Sequence, residues 1–139
     1  MRFHAIEGDR EALRAVLARI ASTPVAGMSV QPPWPPIALD GVGIEASDIV
    51  GLDLVLISGR VASVQLLITP LRALVVNDLA VRCATGLEAP TANEKIEAMT
   101  VVFTQCLVPA FEAVPDVVLV VERDGELVRL GPANRPRDN

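Results

Sequence analysis

The sequence predicts an α+β domain built on a mostly antiparallel sheet, because its helical and strand-like segments are grouped rather than strictly alternating. A helix comes first, followed by a run of strands, a long helix and a final hairpin. Two local signals support the second half of this pattern, a Thr-Ala-Asn-Glu sequence at 91–94 and an Asp-Gly pair at 124–125. The length of 139 residues is typical of one domain. We expect residues 1–131 to form it and the polar residues 132–139 to be a disordered tail.

The N-terminal residues predict a short strand followed by a helix. Arg2–Glu7 is compatible with a strand, and the helix is predicted over about 9–22 with Asp9 as its N-cap. One apolar stripe follows the i, i+3, i+4, i+7 spacing and consists of Leu13, Val16, Leu17 and Ile20. Pro24 ends the helix, because the residue before a proline avoids the helical conformation.

The next segment combines a proline-rich stretch with two glycines. Pro32–Pro36, which contains four prolines around Trp34, forces an extended path. Such a segment either docks into an aromatic groove of a partner or is a stiff connector whose Trp34 enters the core, and we favour the connector. Residues 40–46 fit the loose dinucleotide pattern G-x-G-x-x-A, but the strand, helix and later carboxylate that this motif requires are missing. A glycine-bearing turn is the simpler interpretation.

Residues 52–84 predict a meander of strands. The predicted strands are Leu52–Ile57, Arg60–Ile68, Leu71–Val76 and Leu79–Ala84. Ser58-Gly59 is a hairpin turn sequence, and Asn77-Asp78 is predicted to form a later turn. The apolar residues of 64–75 also fit a helical period that Pro70 interrupts, but the density of valine and isoleucine favours strands.

A long helix is predicted over about 91–113. Thr91 and Glu94 have the spacing of a capping box, in which each side chain accepts the other residue's amide proton. The predicted apolar face consists of Ile96, Met99, Phe103, Cys106, Leu107 and Ala110. Pro109 cannot continue a regular helix, so we expect a kink or a new helical turn there. Val101 and Val102 lie off this face, which suggests a second contact surface such as another subunit.

A C-terminal hairpin is predicted over about 117–130. Val117–Glu122 and Glu126–Leu130 flank Asp124-Gly125, and Asp-Gly is a preferred pair for a type I′ turn. Val117–Val121 is apolar on both faces, which predicts a strand that is covered on both sides.

The composition lacks most of the side chains that carry out catalysis. The chain has one histidine, His4, one lysine, Lys95, and no tyrosine. Its two cysteines, Cys83 and Cys106, have neither metal-ligand nor CxxC spacing. No carboxylate pattern of a calcium site and no cofactor motif is found, so we expect no metal or cofactor and disfavour an enzyme.

Charge and hydropathy exclude several partner classes. The net charge is −5 and basic residues are not clustered, so nucleic acid is not an expected partner. The most apolar stretch, Val61–Val76, is too short to span a bilayer and no N-terminal signal is visible, so we expect a cytoplasmic protein without a membrane partner.

Eleven arginines to one lysine are typical of a GC-rich bacterial genome. The mean hydropathy of +0.44 suggests apolar surface that is kept for a partner or a second copy.

These observations favour a protein-interaction module that binds and neutralises or escorts a basic partner protein. Immunity proteins, antitoxins and secretion chaperones are of this kind. The contact would combine a carboxylate-lined face with an apolar strip. The candidate contact residues lie in a loop-rich segment and are Trp34, Asp40, Glu45, Asp48 and Asp53.

Two other classes stay open. A small anionic ligand, or the substrate of a non-hydrolytic isomerase, would bind an arginine-lined sheet face formed by Arg60, Arg72 and Arg82. A structural subunit would assemble through the outer face of the 91–113 helix, and a homodimer is one form that such an assembly takes.

Overall fold

One antiparallel sheet organises the molecule. The computed structural model describes residues 1–23, 25–31 and 44–131. The strands are β1 Arg2–Glu7, β2 Met28–Gln31, β3 Ile49–Val55, β4 Val61–Ile68, β5 Ala73–Cys83, β6 Gly86–Glu88, β7 Val118–Arg123 and β8 Glu126–Leu130. Their order across the sheet is β2-β3-β4-β5-β1-β7-β8, and β6 pairs with the end of β5. The predicted α+β class with an antiparallel sheet is confirmed.

The N-terminal helix, α1, spans Arg10–Ser22, close to its predicted range. Its predicted apolar stripe is buried in the main core, and the stripe consists of Leu13, Val16, Leu17 and Ile20. Asp9 occupies the N-cap position without making a side-chain capping hydrogen bond. Its carboxylate lies 3.4 Å from Nη1 of Arg72 instead.

The long helix, α2, spans Ala92–Ala113. Its N-terminus has the predicted capping box: Thr91 Oγ1 accepts the Glu94 amide proton at 3.2 Å, and Glu94 Oε1 accepts that of Thr91 at 3.0 Å. A π-helical turn, Phe103–Leu107, interrupts the helix before Val108. The amide of Val108 donates to the carbonyl of Phe103, five residues back, and Pro109 follows without an amide proton. The predicted irregularity near Pro109 is therefore this π turn.

The π turn changes which residues of α2 face the core. It adds a residue to one helical turn, so the buried face before it lies one position earlier than a regular period predicts. Ala98 and Val102 are completely buried, whereas Ile96 is 65% exposed. The predicted face is therefore wrong in two ways: it includes the exposed Ile96 and leaves out the buried Val102. The predicted residues from Cys106 onward are buried as expected.

The predicted turn at Asn77-Asp78 does not exist, because Ala73–Cys83 is one continuous strand. Gln65 pairs with Asp78 and Leu66 pairs with Val76, which leaves Asn77 as an extra residue. This β-bulge accommodates the two turn-favouring residues without ending the strand. Residues 61–84 contain no helix, so the strand interpretation of this segment is correct.

The two faces of the sheet differ in their cover. Side chains alternate along a strand, and the even-numbered residues of β4, such as Val64 and Leu66, belong to the core that α1 and α2 complete. The odd-numbered residues Ser63 and Gln65 therefore face the opposite side, which we call the helix-free face. In the described part of the chain, both helices pack on the first side.

The C-terminal hairpin forms as predicted. Asp124 and Gly125 both have positive φ angles, 54° and 81°, as a type I′ turn requires. Leu119, Val120 and Val121 are all buried, so β7 is covered on both faces.

By length and composition alone, α2 is the one helix in the described residues that is able to cross a membrane. A core helix of a soluble protein meets the same requirements. In α2, Ala98, Val102 and Leu107 are completely buried, and 33% of the most apolar window of the helix is buried inside the chain.

The two cysteines should differ sharply in reactivity. Burial raises the pKa of the Cys106 thiol to about 11, and its Sγ lies 3.4 Å from Sδ of Met28. Cys83 is only partly buried. In a titration with a chromogenic disulfide at about pH 8, we expect about one thiol to react rapidly in buffer and the second only after unfolding. Rapid reaction of both thiols in the folded protein would contradict the packing of α2 against β2.

Candidate functional site

Asp48 is the most strongly engaged of the predicted contact residues. Its side chain is 1% exposed and lies at the end of a 3-10 turn, Ala46–Asp48, directly before β3. Arg10 contacts both carboxylate oxygens, Arg14 Nε donates to Oδ1 at 2.7 Å, and the amide of Glu45 donates to Oδ2 at 3.0 Å. One carboxylate thus joins the first turns of α1 to the start of β3.

The electrostatics of Asp48 favour its ionised form. Burial by itself raises the pKa of Asp48, but the hydrogen bonds from Arg10, Arg14 and the Glu45 amide outweigh burial and hold this pKa well below its usual range. The same hydrogen bonds raise the pKa values of Arg10 and Arg14. Asp48 is consequently a fixed negative charge whose hydrogen-bonding capacity is used inside the chain.

Glu45, another predicted contact residue, is exposed but also engaged. Its carboxylate accepts from Arg14 Nη2 at 2.9 Å and closes a capping box with Asp48. Trp34 and Asp40 lie outside the described residues.

Asp53 and Arg82, which belong to two different functional hypotheses, lie together on the helix-free face. Arg82 Nη2 is 3.1 Å from Asp53 Oδ2. Ser63 connects them, because its hydroxyl donates to Asp53 Oδ1 at 2.6 Å and accepts from Arg82 Nε at 3.0 Å. Ser63 is completely buried, and the Asp53 carboxylate that accepts its proton is itself ion-paired with Arg82. The cluster therefore ties β3, β4 and β5 together.

The other two predicted ligand-binding arginines, Arg60 and Arg72, lie beyond opposite ends of β4. A strand of eight residues is about 25 Å long, so the two arginines are far apart. Arg60 contacts Glu88, and its Nε lies 3.3 Å from Oε2 of Glu94, whose pKa is lowered chiefly by the hydrogen bond from the Thr91 amide. Arg72 pairs with Asp9. Arg60, Arg72 and Arg82 thus do not converge, and each is neutralised by a carboxylate.

Two of the exposed carboxylates that have no ion pair in the described chain lie at the tip of the C-terminal hairpin. Asp124 and Glu126 are exposed at the tip of this hairpin, and neither lies within ion-pair distance of a cation in the described chain. We call them the tip carboxylates. Sequence reasoning treated this hairpin only as a structural element, although the carboxylates around the Asp-Gly pair and the apolar residue after them were visible.

The strand that follows the tip carboxylates is an open edge. Among the described residues, β8 pairs only with β7. In a two-residue hairpin the pair next to the turn, Arg123 and Glu126, is hydrogen-bonded, so Leu127 and Arg129 direct their backbone N–H and C=O groups away from β7. Leu127 is 46% exposed and Leu130 is 37% exposed. Open backbone groups, apolar side chains and free carboxylates therefore occur together at this edge.

No protein-family model, curated protein or solved structure matches this chain significantly. Within the described ranges, no group of three or more His, Cys, Asp or Glu side chains is arranged to hold a metal ion. Function is therefore inferred from the chain's own surfaces.

Proposed function

We propose that this protein is an acidic interaction module that binds a more basic partner protein along β8, an edge strand of its sheet. Binding there would neutralise or escort the partner, as immunity proteins, antitoxins and secretion chaperones do. The observation that carries the proposal is a combination at one edge: backbone groups with no partner among the described residues, exposed Leu127 and Leu130, and the two tip carboxylates.

The backbone of β8 supports addition of a strand from a partner. Edge strands usually avoid such pairing with lysine, proline or a bulge. β8 has the sequence Glu-Leu-Val-Arg-Leu, with neither lysine nor proline, and its register with β7 is regular. The single cation, Arg129, is engaged with Glu7, at 3.0 Å between Nε and Oε1. An extended segment is able to pair with this edge through main-chain hydrogen bonds.

Charge indicates the kind of segment that would pair. Most arginines of the described chain are already in ion pairs with its own carboxylates. Asp124 and Glu126 are not, so they are available to attract cations of a partner and to repel acidic segments. The partner segment is therefore expected to alternate basic and apolar residues.

A pair of matched double variants tests the charge. Asp124→Asn with Glu126→Gln removes the tip carboxylates and keeps a residue that tolerates the positive φ at 124. Glu112→Gln with Asp116→Asn is the control, because it removes the same charge from exposed residues and Asp116 also has a positive φ, 64°. The tip variant should weaken capture of a basic protein by about tenfold at low salt, and the control should not.

The backbone contribution is tested separately with Leu127→Pro. The amide of Leu127 points away from β7, so this variant removes a donor from the open edge and keeps the hydrogen bonds of the hairpin. Binding should be lost while thermal unfolding stays cooperative. If no protein is retained by the native chain at low salt, or if all variants retain it equally, the proposal is wrong. A concentration-dependent dimer that Leu127→Pro dissolves would instead assign the edge to a second copy.

A further inference from the structure

A second feature of the molecule, independent of the β8 edge, is an apolar cleft between α2 and the strands β1 and β5. Its volume is about 1020 Å³, at the upper end of the range of about 300–1,000 Å³ that is typical of small-molecule sites. Its walls are formed by Phe3, Leu79, Ile96, Met99 and Phe103.

The cleft lies beside two irregularities of the fold, the π turn of α2 and the bulge of β5 at Asn77. The π turn places Ile96, Met99 and Phe103 outside the buried stripe of α2, so their side chains line the space beside it. On the opposite wall, the bulge at Asn77 interrupts the regular surface of β5. Phe3 and Phe103 approach each other, with ring centroids 5.9 Å apart. Apolar side chains that a regular helix would bury thus remain accessible.

Only one charged side chain projects from the helical wall of this cleft. Lys95 lies in the first turns of α2, is the only lysine of the chain, and has no ion pair in the described residues. Arg2 and Asp78 also line the cleft. Successive side chains of a strand point to opposite faces, and the next residues, Phe3 and Leu79, point toward α2. The side chains of Arg2 and Asp78 therefore point to the other face of the sheet. Glu122 lies opposite Arg2 there.

We infer that this cleft binds an unbranched alkyl carboxylate, with the head group at Lys95 and the chain along Ile96, Met99 and Phe103. An unpaired cation beside an apolar wall is complementary to a ligand with one anionic head and an apolar body. The thioether of Met99 is flexible and adapts to an alkyl chain. On the helical wall only Lys95, Thr100 and Thr104 are polar, so a ligand with several polar groups would leave most of them without partners along the apolar side chains.

Calorimetric titration of the full chain with laurate, below its micelle concentration, tests the inference. Laurate should bind about tenfold more tightly than dodecanol, which has the same chain without the charge. Lys95→Gln should remove this preference and Lys95→Arg should keep it. Arg19→Gln should leave it unchanged, because Arg19 lies outside the cleft and, like Lys95, has no ion pair in the described part of the chain. Thr100→Trp, at an exposed position that lines the cleft, should abolish binding of both compounds.

Each result has a defined consequence. A rise in melting temperature with laurate that Thr100→Trp removes would support the site even if heats of binding are small. Equal binding of laurate and dodecanol, or no binding of either, would overturn it. A dimer that Thr100→Trp dissolves, without any laurate binding, would assign the cleft to a second copy of the chain.

Discussion

Replacing Asp48 with asparagine should lower the free energy of unfolding by about 2 kcal/mol, measured by urea denaturation. The substitution removes the charge that Arg10 and Arg14 share and leaves two guanidinium groups facing a neutral amide. Breaking a fully buried ion pair costs about 3–5 kcal/mol. The effect should be smaller here, because the Arg10 and Arg14 side chains are 42% and 30% exposed and are able to rehydrate.

The matched control for this variant is Glu45→Gln. Glu45 pairs with the same Arg14, but its side chain is 67% exposed, so its ion pair should contribute no more than about 0.5 kcal/mol. Equal effects of the two substitutions would show that burial of Asp48 does not matter. Equal effects would also mean that the Asp48 carboxylate does not hold α1 to β3.

The pH dependence provides a second measurement on Asp48. Because the pKa of Asp48 is lowered in the folded protein, its contribution is present above the ordinary carboxyl value of 3.8 and is lost as pH falls below it. The stability difference between the native chain and Asp48→Asn should therefore be constant from about pH 7 to pH 5 and should shrink below about pH 4. A difference that grows as pH falls would contradict the lowered pKa.

Local signals predicted the parts of the fold that depend on neighbouring residues. The capping box joins Thr91 and Glu94 within one helical turn, and the type I′ turn needs only Asp124 and Gly125 in their left-handed conformations. The apolar stripe of α1 is equally local, because a fixed helical period decides which residues share a face. Each of these signals can therefore be recognised in a short segment of sequence without knowledge of the tertiary contacts.

Two irregularities, the bulge at Asn77 and the π turn, take a form that depends on tertiary contacts. The sequence indicated a break at Asn77-Asp78 and another near Pro109, but it did not reveal the form of either one. Asn77 favours a turn, but β4 and β5 stay paired on both sides of it, and a bulge preserves that pairing. The π turn at Phe103–Leu107 similarly lets Val102 and Leu107 both enter the core, which a regular helix does not allow for residues five apart. In both cases packing overrides the local preference.

The cluster of Asp53, Ser63 and Arg82 was hidden for a different reason, which is strand register. A two-residue turn at Ser58-Gly59 would place Asp53 opposite Val64, with a carboxylate toward the core. The actual connection, Leu56–Arg60, is longer, and Asp53 lies opposite Ser63 on the helix-free face. The burial of Asp48 was hidden too, because nothing in the sequence joins it to Arg10 and Arg14, more than thirty residues away.

The π turn decides which residues of α2 are buried and which line the cleft. The largest effect on stability that we predict follows from this. Leu107→Ala should lower the free energy of unfolding by about 3 kcal/mol, because Leu107 is completely buried and Leu→Ala substitutions in cores cost about 2–5 kcal/mol. Leu107 ends the π turn and belongs to the same buried core as Leu17 and Leu66, so its truncation leaves a cavity in that core. Chemical denaturation and the heat of unfolding would both report the loss.

Ile96→Ala is the control that distinguishes this packing from a regular helix. Sequence periodicity places Ile96 and Leu107 on one apolar face, so a regular helix would make both substitutions costly. With the π turn, Ile96 is 65% exposed and its truncation should change the free energy of unfolding by less than about 0.5 kcal/mol. Because Ile96 also lines the cleft, the same variant should weaken laurate binding without destabilising the fold. A large loss of stability on Ile96→Ala would mean that α2 is rotated and that the cleft does not exist.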